Sequence, residues 1–174
     1  MNMKDELIIY LNGKFVKQSE AKISVFDQGV LFGDGIFEGI RVYNGKIFKC
    51  REHIDRLYNA AKATMLEIPI DKEELKRIMI ETCRYNNIKD GYIRMVITRG
   101  PGDLGILPIN PSKPTIFCIT SKITLYPEEM YETGMPIITA IQRRNKATIV
   151  DPQIKSLNYL NNILAKIEAI DAGV

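Results

Sequence analysis

A lysine near the end of the sequence has the setting of a nucleophile. After Lys155, apolar residues recur at helical spacing, which predicts an amphipathic helix that starts just after Lys155 with Ser156 or Asn158 as its cap. These apolar positions are Leu157, Leu160, Ile163, Leu164, Ile167 and Ile170. A lysine at a strand-to-helix junction reaches a cleft from a rigid base, and its amine attacks an aldehyde when it is desolvated or lies beside another cation. Most lysines are solvated, so this stretch alone favours a surface lysine.

Two arginines lie on a predicted strand. The residues from 91 to 100 alternate so that Arg94 and Arg99 fall on opposite faces. An arginine on an apolar strand needs an anionic partner, because burying an unpaired charge is costly. That partner is either a structural carboxylate or the carboxylate of a substrate, and the sequence leaves both open.

Composition removes several kinds of chemistry. The single histidine, His53, excludes most zinc and Ser-His-Asp mechanisms, and we predict that its ring is bound by backbone near a helix start. Cys50, Cys83 and Cys118 are widely spaced, which predicts reduced core residues and no metal site. The net charge of +3 is too small to indicate nucleic acid. No apolar run is long enough to span a bilayer and residues 1–6 lack a signal segment, so we predict a cytoplasmic protein without a membrane partner.

Four glycines, at positions 29, 33, 35 and 39, precede or enter a predicted strand. Their spacing is neither that of a Walker loop nor that of a dinucleotide fingerprint. They predict sharp turns or a close approach of backbone to a ligand.

The remaining patterns predict an α+β chain. Asn12-Gly13 and Asn44-Gly45 each predict a hairpin turn, and 102–108 is an apolar loop. Helices are predicted at 53–63 and 71–85, and strands at 7–16 (with its turn), 37–50 (with its turn), 91–100 and 114–120. We predict an N-terminal domain at 1–121, a linker at 122–134 and the start of a second domain at 135–174, where one helix with one or two strands cannot close a core.

Several segments match one family in order along the chain. The segment 155–160 with 162–169 resembles the cofactor-lysine segment of the fold-type-IV pyridoxal-phosphate enzymes. The segments 32–41 (ending Phe-Glu-Gly-Ile-Arg), 53–57 (His-x-x-Arg-Leu), 92–94 (Tyr-Ile-Arg) and 102–105 (Gly-Asp-Leu-Gly) are similar to branched-chain amino acid aminotransferases. The resemblance implies the N-terminal α/β domain of that fold, an antiparallel-rich sheet with two helices, followed by the beginning of the C-terminal cofactor-binding domain.

The same resemblance assigns roles around pyridoxal 5'-phosphate. Lys155 would bind the cofactor covalently and move protons, Arg56 would anchor its phosphate, and Tyr159 would lie near its ring oxygen. The substrate would be surrounded by Phe37, Gly39, Tyr92, Arg94 and Tyr126, with Leu104 and Ile106 contributed across a dimer interface.

The implied reaction is transamination of the branched-chain L-amino acids leucine, isoleucine and valine with 2-oxoglutarate and glutamate, a step of amino acid biosynthesis. There are three alternatives: a D-amino-acid aminotransferase, an aminodeoxychorismate lyase on the same scaffold, and a non-catalytic domain. The segment Thr98-Arg99-Gly100 resembles the carboxylate-binding segment of the D-amino-acid aminotransferases. Members of the family continue past this point and there bind the pyridine nitrogen and the phosphate. We therefore expect a truncated form with weak or no activity by itself.

Overall fold

A computed structural model describes residues 6–108, 113–123 and 126–174. The chain forms two compact units. The first contains the residues up to 122 together with 154–157, and the second contains 123–153 and 158–174. Residues 154–157 thus join the first unit, although they are distant from it in sequence. The domain boundaries predicted above stay a prediction, and Thr124 and Leu125 of the predicted linker lie outside the described residues.

A six-stranded antiparallel sheet forms the first unit. Its strands are β1 (Ile8–Leu11), β2 (Lys14–Lys17), β3 (Gly35–Tyr43), β4 (Lys46–Ile47), β5 (Gly91–Thr98) and β6 (Thr115–Ser121). They lie in the order β2-β1-β6-β5-β3-β4. The two long central strands β3 and β5 pair from Gly35 opposite Thr98 to Val42 opposite Gly91. This register determines which side chains lie next to each other on each face.

Both predicted Asn-Gly turns are present. Asn12 and Gly13 have φ angles of 47° and 90°, and Asn44 and Gly45 have φ angles of 48° and 72°. These left-handed conformations are those that a two-residue hairpin turn requires, and asparagine and glycine adopt them at low cost. The turns join β1 to β2 and β3 to β4.

Two helices cover one face of the sheet. After the short α1 (Gln28–Leu31) come α2 (Cys50–Ala63) and α3 (Lys72–Tyr85), each of 14 residues. Asp71 caps α3 by accepting the Glu74 N–H at 2.7 Å. Their apolar sides pack on alternate residues of the central strands. The strand residues in this core include Ile36, Ile40, Val42, Ile93, Met95 and Ile97, and the helix residues include Ile54, Leu57, Leu75, Ile78 and Met79.

The described residues of the second unit contain two helices, α4 (Glu129–Thr133) and α5 (Leu160–Asp171), and no residue of either is buried. Glu168 of α5 accepts the N–H groups of Ile141 and Gln142 at 2.6 and 2.8 Å. Residues 136–140 and 147–150 form no strand in this unit. The prediction that the helix starts just after Lys155 is wrong, because α5 begins at Leu160 with Tyr159 at its N-cap and without a side-chain cap.

The fold class predicted from the sequence is confirmed: the first unit is an antiparallel-rich sheet carrying two long helices. Within the described residues, no helix combines the length and apolar character needed to cross a membrane.

Candidate active site

Lys155 lies on a short extended segment that pairs with the first half of β3. The Phe37 N–H donates to the Lys155 carbonyl at 3.0 Å, and the Leu157 N–H donates to the Gly35 carbonyl at 2.9 Å. These bonds hold the backbone of 155–157 extended, so no helix can form there. The lysine is therefore fixed at the edge of the central sheet by backbone hydrogen bonds.

The ring of Phe37 lies between this lysine and β5. Lys155 Nζ is 4.5 Å from the ring centroid of Phe37, and the guanidinium carbon of Arg94 is 4.4 Å from the same centroid. Phe37 is 5% exposed, so its ring is a buried platform that attracts both cations through its π face. Successive side chains of a strand point to opposite faces, and Ile36, the residue before Phe37, lies in the core under the helices. Phe37 therefore points away from the helices.

Gly39 and Tyr92 extend the same face. A Cβ placed on Gly39 would lie 2.0 Å from the Tyr92 hydroxyl oxygen, so the tyrosine occupies the space that any side chain at 39 would need. The ring of Tyr92 is 5.5 Å from the guanidinium carbon of Arg94. Gly39 is opposite Arg94 in the strand register. The absence of a side chain at Gly39 thus leaves space for the Tyr92 hydroxyl beside the arginine.

Arg41 adds another cation to this face. It lies opposite Tyr92, and its guanidinium carbon is 5.2 Å from the ring of Tyr43. Its Nε is buried and has no hydrogen-bond partner among the described residues. Lys155, Arg94 and Arg41 therefore share a face on which the residues of β3 and β5 include no carboxylate. Such a face attracts anionic ligands.

Arg56 is placed on the helix side of β3. Its Nε and Nη2 donate to the two carboxylate oxygens of Glu38, both at 2.6 Å, and Glu38 is 1% exposed. His53, one turn earlier on α2, has its Nδ1 2.8 Å from Glu38 Oε2. The prediction that backbone binds the His53 ring is wrong, because a buried carboxylate does so. This bidentate pair fixes the plane of the Arg56 guanidinium.

Arg99 has the structural carboxylate that the strand pattern required. Its Nε and Nη2 donate to Asp34 at 2.5 and 3.1 Å. Its Nη1 donates to the carbonyls of Met65 and Pro108 at 3.1 and 3.0 Å, and its Nη2 also donates to Thr64 at 2.8 Å. These bonds use the five N–H donors of the guanidinium. Arg99 therefore ties β5 to the end of α2 and to the loop that follows β5.

Leu104 and Ile106 lie on that loop and are 73% and 81% exposed. The loop is held at both ends: Gln28 Nε2 donates to the Asp103 carbonyl at 2.7 Å, and Arg99 binds Pro108. Two large apolar side chains are thus presented to solvent from an anchored loop.

Tyr126 and Tyr159 belong to the second unit. Tyr126 is 43% exposed, and its ring centroid is 6.5 Å from that of Tyr131. Tyr159 is half-buried and precedes α5. The first unit therefore brings together Lys155 and the strand residues at 37, 39, 92 and 94, and the roles predicted for all the site residues stay predictions.

Groups with strongly shifted pKa values lie on the helix side of the sheet. Burial raises the pKa of the Cys83 thiol to about 11 and that of Cys118 to about 12. Burial also raises the pKa of Tyr58 to about 12, and its hydroxyl donates to the Ile70 carbonyl at 2.6 Å. These groups stay protonated at neutral pH, which suits core residues. Among the described residues, no cluster of three or more His, Cys, Asp or Glu could hold a metal ion.

Sequence reasoning missed Glu38, Asp34 and Arg41. Glu38 carried a usable signal, because it shares its strand face with Ile36 and Ile40 and a carboxylate among core residues requires a cation. Asp34 had no such signal, since it lies in a turn before β3.

Comparison with known proteins gives the class. The family model described as "Amino-transferase class IV" matches residues 35–174. Solved structures are similar as well. A branched-chain amino acid aminotransferase with pyridoxamine 5'-phosphate superposes with a TM-score of 0.90 at 35% identity, covering 97% of this chain and 57% of that one. The branched-chain amino acid aminotransferase of Escherichia coli superposes with a TM-score of 0.91 at 27% identity, with the same two shares, 97% and 57%. The chain belongs to the class IV aminotransferase family.

The names of the curated relatives include two activities. A protein of Methanocaldococcus jannaschii named "Putative branched-chain-amino-acid aminotransferase" is 54% identical over 166 residues, which are 95% of this chain and 57% of the relative. The D-alanine aminotransferase of Staphylococcus haemolyticus is 37% identical, over 93% of this chain and 56% of its own length. The chain thus spans little more than half the length of these relatives.

Proposed function

We propose that this chain takes part in pyridoxal-phosphate-dependent transamination between branched-chain L-amino acids and 2-oxoglutarate. The observation that carries the proposal is the pairing of an amine and a guanidinium on one buried ring: Lys155 and Arg94 lie 4.5 and 4.4 Å from the centroid of Phe37. An amine that reacts with aldehydes thus lies beside a cation that can bind a carboxylate. Membership of the class IV aminotransferase family supports the same chemistry.

The residues present fit a phosphorylated aldehyde cofactor. Lys155 is half-buried on a segment fixed by backbone bonds, and it would hold the cofactor aldehyde. Arg56 has its guanidinium oriented by Glu38 and would bind the phosphate, with Tyr159 near the ring oxygen. When bound, pyridoxal phosphate supplies an electron sink for the bonds at the substrate α-carbon.

Five residues of the helix-free face then have a task. The amine of Lys155 would take the proton from the substrate α-carbon and would deliver a proton in the return step. Arg94 and Tyr92 bind the substrate carboxylate, and Gly39 leaves room for them. Phe37 excludes water from one side of the lysine, which strengthens the electrostatic contacts at the site.

The proposal also includes a homodimer and a cytoplasmic location. Leu104 and Ile106, exposed on an anchored loop, suit apolar contact with the substrate side chain in a homodimer. The predicted cytoplasmic location and role in branched-chain amino acid biosynthesis belong to the same proposal.

A D-amino-acid aminotransferase is the second candidate, because D-alanine aminotransferases are among the relatives. If Arg99 bound the carboxylate of the substrate, the D-amino-acid aminotransferase would be favoured. The five donors of Arg99 bind acceptors within the chain, so this guanidinium is occupied by Asp34 and by backbone carbonyls. This contact set favours the branched-chain substrate.

Borohydride trapping tests the lysine. The protein is incubated with pyridoxal phosphate, reduced with sodium borohydride and mapped by peptide mass spectrometry. We expect a phosphopyridoxyl group on Lys155 that is lost in Lys155→Ala and retained in Lys166→Ala, a variant of an exposed lysine on α5. Labelling scattered over many lysines, or none, would overturn the cofactor role.

Amino donors test the substrate. L-leucine and D-alanine are each supplied with 2-oxoglutarate to the protein incubated with pyridoxal phosphate, and glutamate formation is followed for both. Because weak activity is expected of a truncated form, the comparison is relative: glutamate should form faster from L-leucine than from D-alanine. Faster turnover of D-alanine, or release of pyruvate from aminodeoxychorismate, would move the chain to one of the alternative activities.

A further inference from the structure

A second cleft lies on the helix side of the first unit, away from the face that carries Lys155. It has a volume of about 630 Å³ and is bounded by β4, the start of α2, the C-terminal part of α3 from Lys76 onward and the residues 87–89 that follow α3. Its floor is apolar and continuous with the core, since Val42 and Ile88 are buried and Ile47 packs against them. None of the residues proposed for transamination lines it.

The rim of the cleft is cationic. Lys46, Lys76, Arg84 and Lys89 are all exposed and line it, and the lining residues include no carboxylate. These cations give the rim a positive potential that favours an anionic ligand.

The arrangement on α3 is periodic. Lys76, Ile80 and Arg84 follow each other at intervals of four residues and so lie on one side of the helix, which faces the cleft. Two of these cations have acidic neighbours on α3: Lys76 pairs with Glu73 at 3.5 Å and Arg84 with Glu81 at 2.7 Å. Exposed pairs of this kind are weak, so the cations can turn to a ligand anion at little cost.

The opposite wall comes from the β3–β4 turn. The Gly45 N–H donates to the Lys89 carbonyl at 2.7 Å and closes one end of the cleft. Lys46 and Lys89 form no ion pair within the described part of the chain. A ligand that complements this cleft therefore combines an anionic group, for the cationic rim, with an apolar part, for the floor.

We propose that this cleft binds an amphipathic anion, a carboxylate with an unbranched or branched hydrocarbon chain. The carboxylate would lie among the four cations and the chain would lie on the floor formed by Val42, Ile47, Ile80 and Ile88. An amino acid fits less well, because its ammonium group would be repelled by the rim. Inorganic phosphate would leave the apolar floor uncovered. The proposal does not depend on the transamination proposed above.

Cys50 provides a reporter within the cleft. It lines the cavity and is half-buried, whereas Cys83 and Cys118 are buried. Burial raises the pKa of the Cys50 thiol, which lowers the fraction of reactive thiolate and slows its alkylation. A ligand seated on the floor covers this thiol and slows the reaction.

The test measures alkylation of Cys50 by N-ethylmaleimide, by peptide mass spectrometry, with sodium octanoate below its micelle concentration. We expect saturating octanoate to slow the reaction at least tenfold, and 1-octanol and octylammonium at the same concentration to slow it much less. The double variant Lys46→Glu with Lys89→Glu should lose this protection. The control double variant Lys14→Glu with Lys62→Glu, exposed lysines outside the cleft, should keep it.

Circular dichroism of each variant checks that the fold is kept. Unfolding of the Lys46 and Lys89 variant would leave the wild-type comparison of octanoate with octanol to decide the question. Equal protection by octanol and octanoate would show an apolar crevice without anion selectivity and would overturn the proposal. Unchanged alkylation with octanoate, or loss of protection in the control variant, would overturn it as well.

Discussion

Replacing Arg99 with alanine should destabilise the first unit strongly. The side chain of Arg99 is 7% exposed, and its five donors join a carboxylate to three backbone carbonyls. Two of these carbonyls, of Thr64 and Met65, lie directly after the C-terminal end of α2, where backbone carbonyls lack partners in the helix itself. The alanine variant leaves them, and the carboxylate of Asp34, without a cation.

The magnitude follows from burial. Removing one partner of a buried ion pair costs about 3–5 kcal/mol. Asp34 is 28% exposed and is rehydrated in part, which places the expected loss near the lower end, at about 3 kcal/mol. Arg99→Lys keeps the charge but offers three donors in place of five, so we expect an intermediate loss.

Native-state hydrogen exchange of the amides in the β5–β6 ladder gives the free energy of unfolding of this unit directly. Arg77→Ala is the matched control, because Arg77 pairs bidentately with Glu74 but is 57% exposed. The loss of unfolding free energy in Arg77→Ala should be much smaller than in Arg99→Ala. Residues 102–107 should also exchange faster in Arg99→Ala, since the loop loses its anchor at Pro108. A loss for Arg99→Ala no larger than that for Arg77→Ala would refute the reasoning.

Three further predictions concern a close contact and two buried groups. In Gly39→Ala the new methyl group would lie 2.0 Å from the Tyr92 hydroxyl, so we expect the half-buried ring to swing away with little change in melting temperature; a crystal structure with the ring unmoved would contradict this. The pKa of Tyr58 is raised from 10.0 to about 12, so its contribution to stability is complete below pH 10 and is lost as the pH rises through about 12. The stability difference between wild type and Tyr58→Phe, measured by urea unfolding, should shrink over that range, and a constant difference would contradict the burial effect. At pH 8 N-ethylmaleimide should modify Cys50 well before Cys118, whose pKa is raised to about 12 by burial; equal rates by mass spectrometry would count against this burial.

Local signals in the sequence were sufficient for most of the first unit. Asn12-Gly13 and Asn44-Gly45 determine two hairpins, because few other residues adopt their φ angles at low cost. The helical spacing in α2 and α3 and the period of two in β5 were equally reliable, since each places a continuous apolar surface on the core. These predictions depend only on neighbours in sequence.

Signals that depend on distant partners were weaker. The apolar periodicity after Lys155 is real, but its first turn is extended because Leu157 donates to Gly35 on β3, about 120 residues earlier, a pairing that local propensity cannot reveal. His53 was assigned to backbone for a similar reason. Its partner, Glu38, is brought beside it only when β3 packs under α2.

The alternation along β3 explains how one strand can serve two sides of the candidate site. Phe37 faces the helix-free side and contacts Lys155, whereas Glu38, the next residue, faces α2 and orients Arg56. A shift of the register by one residue would bury Phe37 among the helices and expose the carboxylate to the lysine, and both groups would lose their contacts. The register is fixed by eight opposed residue pairs with β5, from Gly35 to Val42. The geometry of the lysine and the orientation of Arg56 therefore depend on the same strand pairing, and a substitution that loosens it should affect both together.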